Sequence, residues 1–403
     1  MSQPAAGRSR FRTVFGPGLV VMLADSDVGS IITAGQSGRQ WGYRLLLLQF
    51  ALMPVLYIVQ ELAVRLALFT GRGYGELVRA RLGPGLAGVA AAGLVVATAG
   101  ALLTEFSGVA GVGALFGVPR AVTLPLAAAA LLAVVGTNAW RRVERVAIAV
   151  GLFELAFFGV AWAAHPDLPT LASQSLQLPL GDPDYRALVA ANVGALVSPW
   201  MVFYQQSAIA GKRLGPAYLA AARWDTAIGA VVTQLVMAAV LVAAAATLGG
   251  ATLPGRLDTV GALSAALSPL LGVGVGRVVF GAGVLGAALV AAIVASQALF
   301  WGLAEVTGRD RQARGSRPAA GVYVLCVAGA ALLAGVAPDL VALNLGVQVM
   351  NALLLPLVIA PLVVLAAGAL PPPARLRGGG LWAAGALCAA TCGLGLWCAM
   401  AAL

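Results

Sequence analysis

The chain contains one apolar run of about 20 residues after another, from near its beginning to its end. A helix of that length crosses the hydrocarbon layer of a bilayer, and helices satisfy their own backbone groups there. The composition agrees, because 61% of the residues are hydrophobic and only 10% are charged, whereas soluble domains are about a quarter charged. The sequence therefore predicts an all-α polytopic membrane protein, with residues 1–403 forming a single transmembrane domain.

Eleven apolar segments are long enough to be transmembrane helices, and we number them as spans 1 to 11. Their approximate limits are 14–38, 45–69, 86–117, 121–139, 146–164, 187–211, 218–248, 274–306, 319–336, 339–369 and 379–402. The connections between them are short, and one of the longest covers residues 165–186.

The formal net charge of +10 comes from basic residues that cluster in these connections. Connections on the side of the N-terminus are rich in arginine, as in Arg8, Arg10 and Arg12, whereas the opposite side has few, such as Arg39 and Arg120. The positive-inside rule then predicts a multi-pass protein of the plasma (inner) membrane, with a cytoplasmic N-terminus and the C-terminus outside. The charge thus reflects topology in a lipid bilayer, and we expect no nucleic-acid partner and a monomer.

Two spans contain residues that interrupt a membrane helix. Span 1 contains "ADSDVGS" and span 6 contains "LVSPWM". Freed backbone groups are tolerated at membrane depth only where they line a cavity or meet partners. Broken helices at corresponding positions of two halves indicate the binding site of a transporter, and spans 1 and 6 are five apart. This spacing predicts an inverted repeat of five plus five helices, followed by one extra helix.

Asp25 and Asp27 lie inside the interruption of span 1. An acid at that depth costs several kcal/mol and is a functional candidate. On a continuous helix the two side chains would point about 200° apart, but unwound backbone relaxes that limit. One carboxylate together with freed carbonyls makes an oxygen-rich cage for a hard cation. The alternative is that both aspartates only cap the half-helix that follows.

Span 6 offers oxygen ligands at its own interruption, namely the Ser198 hydroxyl and the Ala195 carbonyl. Met201 is expected to pack rather than to bind, and Trp200 could instead line a pocket for an organic solute. A proline kink that serves packing alone is the alternative for this span.

Three further spans contain polar residues of interest. Glu105 in span 3 either relays protons or holds a partner such as an arginine. Gln297 in span 8 could reach the cavity. Asn344, Gln348 and Asn351 share one face of span 10 because they are four and three residues apart, and interhelical hydrogen bonds are the simplest role for them.

Several segments together resemble one protein family. "FGPGLVVMLADSDVGS", "QELAVRLALFTGRGYGELVR", "LLTEFSG", "RRVERV", "RWDTAIG" and "VQVMNALLLPLVIAPL" occur in the order and spacing of the Nramp (natural resistance-associated macrophage protein) divalent-metal transporters. The resemblance covers residues from about 14 to 368. It implies a LeuT-type fold, in which alternating access proceeds around broken helices 1 and 6.

The resemblance also implies roles for individual residues, which we carry over by position. Asp27 matches the metal-binding aspartate of the family and Ser30 matches its asparagine. Ala24 and Ala195 match positions that offer backbone carbonyls. Gln297 matches a glutamine that joins the site in some states.

The departures from the family pattern are concentrated at the same site. Val28 replaces a proline, and the Met-Pro-His of the sixth helix reads Ser198-Pro199-Trp200 here. A second histidine of the family is Gln205, the acid three residues before Glu105 is Leu102, and Asp25 is additional.

These departures predict a direction in selectivity. A thioether selects softer metals, so its replacement by Ser198 leaves a site of oxygen ligands, unless Met201 takes the place of the missing thioether. The metal ligands would then be Asp27, Ser30 and Ser198, with Asp25 adding charge, and Mg²⁺ or Mn²⁺ would be the cargo. The loss of both histidines removes groups that titrate near neutral pH. We therefore expect transport without proton coupling and no resident cofactor, a pattern that resembles the Nramp-related magnesium transporters.

Other functional classes remain open from the sequence. A LeuT-fold transporter that has lost the metal site could carry a monovalent cation or a small organic solute. A non-transporting sensor or scaffold on the same fold is a second possibility. An intramembrane enzyme is not expected, because the spans contain no cluster of His or Cys and no Ser–His arrangement.

Overall fold

The computed structural model of the chain describes residues 17–136, 149, 151–248, 273–308 and 317–400. These residues form fifteen α-helices, which we label in chain order. They are α1 Pro17–Asp25, α2 Val28–Trp41, α3 Leu46–Thr70, α4 Tyr74–Leu82, α5 Pro84–Leu115, α6 Arg120–Gly136, α7 Ala156–Ala163, α8 Leu168–Ser175, α9 Pro183–Leu196, α10 Pro199–Gly211, α11 Leu219–Leu248, α12 Val273–Thr307, α13 Arg317–Val336, α14 Leu340–Gly368 and α15 Gly378–Met400.

A helix lies in each of the eleven predicted spans, so the prediction of an all-helical membrane protein is confirmed. Within the described residues, eight helical stretches are long and apolar enough to cross a membrane. Two shorter apolar helices, Arg120–Val134 and Leu152–Ala163, occupy the predicted spans 4 and 5. The basic segments at 141–145 and 309–316 lie outside the described residues.

The structure differs from the prediction in the connections. The connection at 165–186 contains the short helix α8, whose first turn is capped by the Asp167 side chain accepting from the Thr170 amide at 3.1 Å. The connection after span 2 contains α4, which begins at Tyr74. Both segments begin with good capping or turn residues, and their apolar runs are too short to cross a bilayer.

The two broken spans pack crosswise against each other. The second half of span 1, α2, contacts α9 of span 6, while the first half, α1, contacts α10. Span 7, which is α11, contacts both α1 and α2. The two interruptions therefore face each other in the interior, with α11 alongside.

Glycines permit this close packing. A Cβ at Gly194 in α9 would lie 1.8 Å from the backbone carbonyl oxygen of Gln348 in α14. A Cβ at Gly18 in α1 would lie 2.5 Å from Asp225 Oδ2, which accepts a hydrogen bond from the Gly18 amide at 2.8 Å. Small residues bring membrane helices together because lipid offers no hydrophobic drive for association.

The polar residues near the end of span 2 form the ion pair that their spacing suggests. Arg65 lies 2.8 Å from Glu61 four residues earlier. Arg223 at the start of α11 joins the same carboxylate at 2.7 Å. This cluster ties spans 2 and 7 together, so a structural role for Glu61 and Arg65 fits the geometry.

We predict that Gly194→Ala lowers the thermal stability of the purified protein, because the new methyl group overlaps backbone atoms of α14 that cannot turn away. Overpacking of this kind costs about 1–3 kcal/mol. Gly346→Ala is the matched control, since a Cβ there has no neighbour within 4 Å. Thermal unfolding in detergent, followed by size-exclusion chromatography, measures both, and equal midpoints for the two variants would contradict the close approach.

Candidate cation site

The interruption of span 1 consists of two residues, Ser26 and Asp27, between α1 and α2. Asp27 has φ −69° and ψ 173°, and its Oδ1 accepts a hydrogen bond from the Ser30 amide at 2.7 Å. This is the geometry of an N-cap, which supplies an acceptor for an amide that the helix leaves unpaired. The capping role predicted for the aspartates therefore belongs to Asp27.

Asp25 occupies a different environment from Asp27. It ends α1, is 3% exposed, and lines a small internal cavity together with Ser30 and Ala195. The volume of this cavity is about 10 Å³, close to the roughly 10–15 Å³ that one water molecule requires. The cavity can therefore hold a single water molecule or ion beside a buried carboxylate.

Backbone carbonyls at the two breaks lack the donors that a continuous helix would provide. The amide that would bond to the Ala195 carbonyl belongs to residue 199, which is a proline without an N–H. The corresponding donor for Ala24 is the Val28 amide, which lies beside the Glu105 carboxylate instead. Ala24 and Ala195 thus offer carbonyl oxygens, as the resemblance implies, and Ala195 lines the cavity.

The interruption of span 6 is closed by side chains. Val197 and Ser198 are extended, and the Ser198 amide donates to Met201 Sδ at 3.3 Å. The Ser198 hydroxyl accepts from Asn351 Nδ2 at 3.2 Å. Trp200 is buried. Ser198 is therefore held by α14 and by Met201 rather than turned towards the Asp25 cavity.

The polar stripe of span 10 makes the interhelical contacts expected of it. Asn344 donates to the Ser107 hydroxyl of α5 at 2.7 Å. Gln348 accepts from Asn351 at 3.1 Å, and its Nε2 is so close to Gly29 that a Cβ there would lie 2.1 Å away. Gln348 thus lies directly against the interruption of span 1.

Two buried glutamates lie on another side of the same interruption. Glu105 accepts from the Thr104 hydroxyl at 3.1 Å, and its Oε2 has no hydrogen-bond partner among the described residues. Glu154, in a 3-10 turn at Leu152–Leu155, is 1% exposed and lies next to the Ser26 side chain. No described arginine pairs with either glutamate, so an arginine partner for Glu105 is not found within the described part of the chain.

The structure brings together part of the predicted set. Asp25, Ser30 and Ala195 line the same cavity. Asp27 does not line it but contacts Ser30, because its Oδ1 accepts a hydrogen bond from the Ser30 amide. Other predicted residues are buried but do not line this cavity, namely Ala24, Ser198, Gln297, Glu105, Trp200, Gln205 and Asn351. No three His, Cys, Asp or Glu side chains among the described residues form a cluster that could hold a metal ion. A cation here would depend on carbonyl, hydroxyl and amide ligands beside the carboxylate.

Sequence reasoning missed Glu154 and six residues of the cavity wall, namely Gln49, Asn192, Leu196, Thr233, Gln234 and Met237. Glu154 carried the usual signal, a charged residue inside an apolar span. Thr233, Gln234 and Met237 of α11 line the cavity, but they lie far along the chain from both interruptions. Only the packing of α11 against span 1 brings them to the site.

Two broken helices that cross at a polar interior define a membrane transporter of the LeuT fold. The manganese transporter of Eremococcus coleocola has this fold, with a TM-score of 0.77, 18% identity, and coverage of 98% of this chain and 88% of that one. The structure of MhsT in complex with L-phenylalanine is also similar, with a TM-score of 0.63, 16% identity and full coverage of both chains.

The sequence comparison identifies the family. A model of natural resistance-associated macrophage protein-like sequences matches residues 18–401, and the chain belongs to this family, which consists of transporters rather than enzymes. The divalent metal cation transporter MntH of Agrobacterium fabrum is 25% identical over 68% of this chain and 62% of its own length. MntH 1 of Pseudomonas aeruginosa is 29% identical over 68% of this chain and 64% of its length. The chain thus spans a little under two thirds of the length of these relatives.

We predict that two variants of Asp27 distinguish the loss of its capping acceptor from the loss of its charge. Asp27→Ala removes the acceptor for the Ser30 amide and should cost about 0.5–2 kcal/mol of stability. Asp27→Asn keeps an acceptor of similar capping strength and should unfold close to the wild-type temperature. Thermal unfolding of the purified variants without added metal decides the point. If Asn destabilises as much as Ala does, capping is not the structural role of Asp27.

Proposed function

We propose that this protein carries a divalent metal cation, Mg²⁺ or Mn²⁺, through the membrane by alternating access around the two broken spans. The observation that carries the proposal is the buried Asp25 carboxylate, which opens on a cavity of single-ion size between the interruptions. Ala195 and Ser30 line the same cavity, and they offer a backbone carbonyl and a hydroxyl. These are the oxygen ligands that hard cations prefer.

Charge supports a divalent ion. Asp25 and Asp27 are both buried, and no described basic side chain forms an ion pair with either. Two ionised carboxylates at membrane depth are costly unless a cation compensates them. A single divalent cation balances both charges, whereas a monovalent cation leaves one carboxylate uncompensated.

The size of the cavity bears on the alternative cargo. A small organic solute would need a far larger space than about 10 Å³, since pockets for such ligands have volumes of roughly 300–1,000 Å³. The relatives named as divalent metal cation transporters and as a manganese transporter support the same choice. Trp200, which a solute pocket would use, is packed at 1% exposure.

The proposal extends to orientation and coupling. The arginine-rich connections support a cytoplasmic N-terminus in the cell membrane. The residue in place of the second family histidine is Gln205, and the place of the missing acid is taken by buried Leu102. Neither side chain titrates, so we propose that the metal moves without a coupled proton flux. Glu105 and Glu154 would then keep one protonation state through the cycle.

We predict that Asp25→Asn abolishes metal movement in proteoliposomes. The change keeps the shape of the side chain but removes the charge, so metal binding should fall by more than the roughly tenfold typical of outer-shell changes. Influx of Mn²⁺ and Mg²⁺ into dye-loaded vesicles is the measurement, with Na⁺ and K⁺ as competitors. Asp184→Asn is the matched control, because Asp184 lies in an exposed turn at the start of α9. Unchanged metal flux in Asp25→Asn would show that the Asp25 cavity does not lie on the transport path. Competition by Na⁺ or K⁺ would show that the protein carries a monovalent cation.

We predict that the interior pH of the same vesicles stays constant during metal uptake. A pH-sensitive dye trapped inside reports it, and a proton ionophore shows whether hidden coupling limits the rate. Clear acidification that depends on the metal and on Asp25 would overturn the uncoupled proposal. Glu105→Gln and Glu154→Gln would then show which acid carries the proton.

A further inference from the structure

Span 7 presents three side chains to the Asp25 cavity. Thr233, Gln234 and Met237 of α11 all line it and are at most 4% exposed. Gln234 and Met237 are three residues apart, so they lie on one face of the helix. The part of the cavity wall that α11 forms therefore contains an amide side chain and a thioether side chain.

The amide of Gln234 is available to a ligand. Its Oε1 is buried and accepts no hydrogen bond from the described residues. The neighbouring amide of Asn192 is already used, because it accepts from Gln49 at 2.6 Å and donates to the Ser37 hydroxyl at 2.9 Å. Buried acceptors are normally paired, so an unpaired oxygen beside a buried carboxylate indicates a place for a cation.

The thioether of Met237 gives this cavity a second kind of donor. Span 6 also contains a buried thioether, in Met201, but that sulfur accepts the Ser198 amide at 3.3 Å and Met201 does not line the cavity. Met237 does line it. Thioethers bind softer transition metals and are poor ligands for Mg²⁺ and Ca²⁺.

We infer that span 7 completes the cation site, with Gln234 as an oxygen ligand and Met237 as a sulfur ligand that makes the site prefer Mn²⁺ and softer divalent ions to Mg²⁺ and Ca²⁺. Asp25 supplies the charge, and Ser30 and Ala195 supply the remaining oxygens. The inference rests on the proposed function. It narrows the proposed cargo from Mg²⁺ or Mn²⁺ to Mn²⁺.

The helix α11 also contacts the first half of span 1 directly. Thr233 donates to the Met22 carbonyl of α1 at 2.7 Å, so the helix that carries both ligands is bonded to the first half of span 1. A Cβ at Gly229 would lie 2.5 Å from Met22 Cγ, which shows how tightly the two helices pack. This close packing holds α11, and with it Gln234 and Met237, near the end of α1 that contains Asp25.

The test is calorimetric titration of the purified full chain in detergent with Mn²⁺, Cd²⁺, Mg²⁺ and Ca²⁺. Met237→Leu removes the sulfur with little change in volume and should weaken Cd²⁺ and Mn²⁺ binding about tenfold or more, with Mg²⁺ and Ca²⁺ unchanged. Gln234→Leu removes a hard oxygen and should weaken all four ions. Met350→Leu in α14 is the matched control, because it makes the same change at a half-buried thioether outside the cavity and should leave all four unchanged. Met201→Leu tests the thioether of span 6 as the competing sulfur ligand.

The outcomes separate this inference from the proposed function. If Met201→Leu removes the Cd²⁺ and Mn²⁺ preference and Met237→Leu does not, the sulfur ligand belongs to span 6 and the inference is overturned. If neither change alters selectivity while Asp25→Asn abolishes binding, the inference fails and the proposed function stands. If the wild-type chain binds none of the four ions, both fail. Size-exclusion profiles and helical content confirm that each variant is folded.

Discussion

The structure depends on one constraint, which is that every backbone amide and carbonyl at membrane depth needs a partner. Spans 1 and 6 break that rule locally, and buried side chains at each interruption supply part of the missing hydrogen bonds. Asp27 caps α2 through the Ser30 amide at 2.7 Å, and Met201 accepts the Ser198 amide at the other break. What the repair leaves over, a carbonyl opposite Pro199 and the carboxylate of Asp25, faces the cavity. The site therefore consists of the polar groups that the two interruptions leave without a hydrogen-bond partner among the described residues.

Charge is the second consequence of this arrangement. Four buried acids surround the interruption of span 1, namely Asp25, Asp27, Glu105 and Glu154. The ion pairs of the described residues involve other acids, Glu61 and Glu76. A membrane interior with this excess of carboxyl groups is neutral only if protons or metal ions compensate them. The carboxyl groups attract cations of every kind, so the groups other than carboxylates around the cavity must supply the selectivity between cations.

The departures of span 6 from the family pattern have a structural counterpart on span 7. Ser198 is bonded to Asn351 and withdrawn from the cavity, whereas α11 places Gln234 and Met237 there. Glycine at the helix contacts lets α11 approach span 1 closely. A Cβ at Gly38 of α2 would lie 2.2 Å from the Leu241 carbonyl oxygen of α11.

The sequence by itself determined the class of this protein. An apolar run of membrane length must form a helix, because a helix satisfies its backbone hydrogen bonds within the segment. It also located both interruptions, because Gly, Ser, Asp and Pro break helices through local chemistry. The sequence favoured Asp27 as the metal ligand and gave Asp25 only an added charge, because residue order does not say how two side chains on unwound backbone point. Tertiary structure decided that Asp27 caps and Asp25 faces the cavity. It alone brought Gln234, Met237 and Glu154 to the site, because each lies more than a hundred positions from Asp25 along the chain and its placement depends on which helix faces touch.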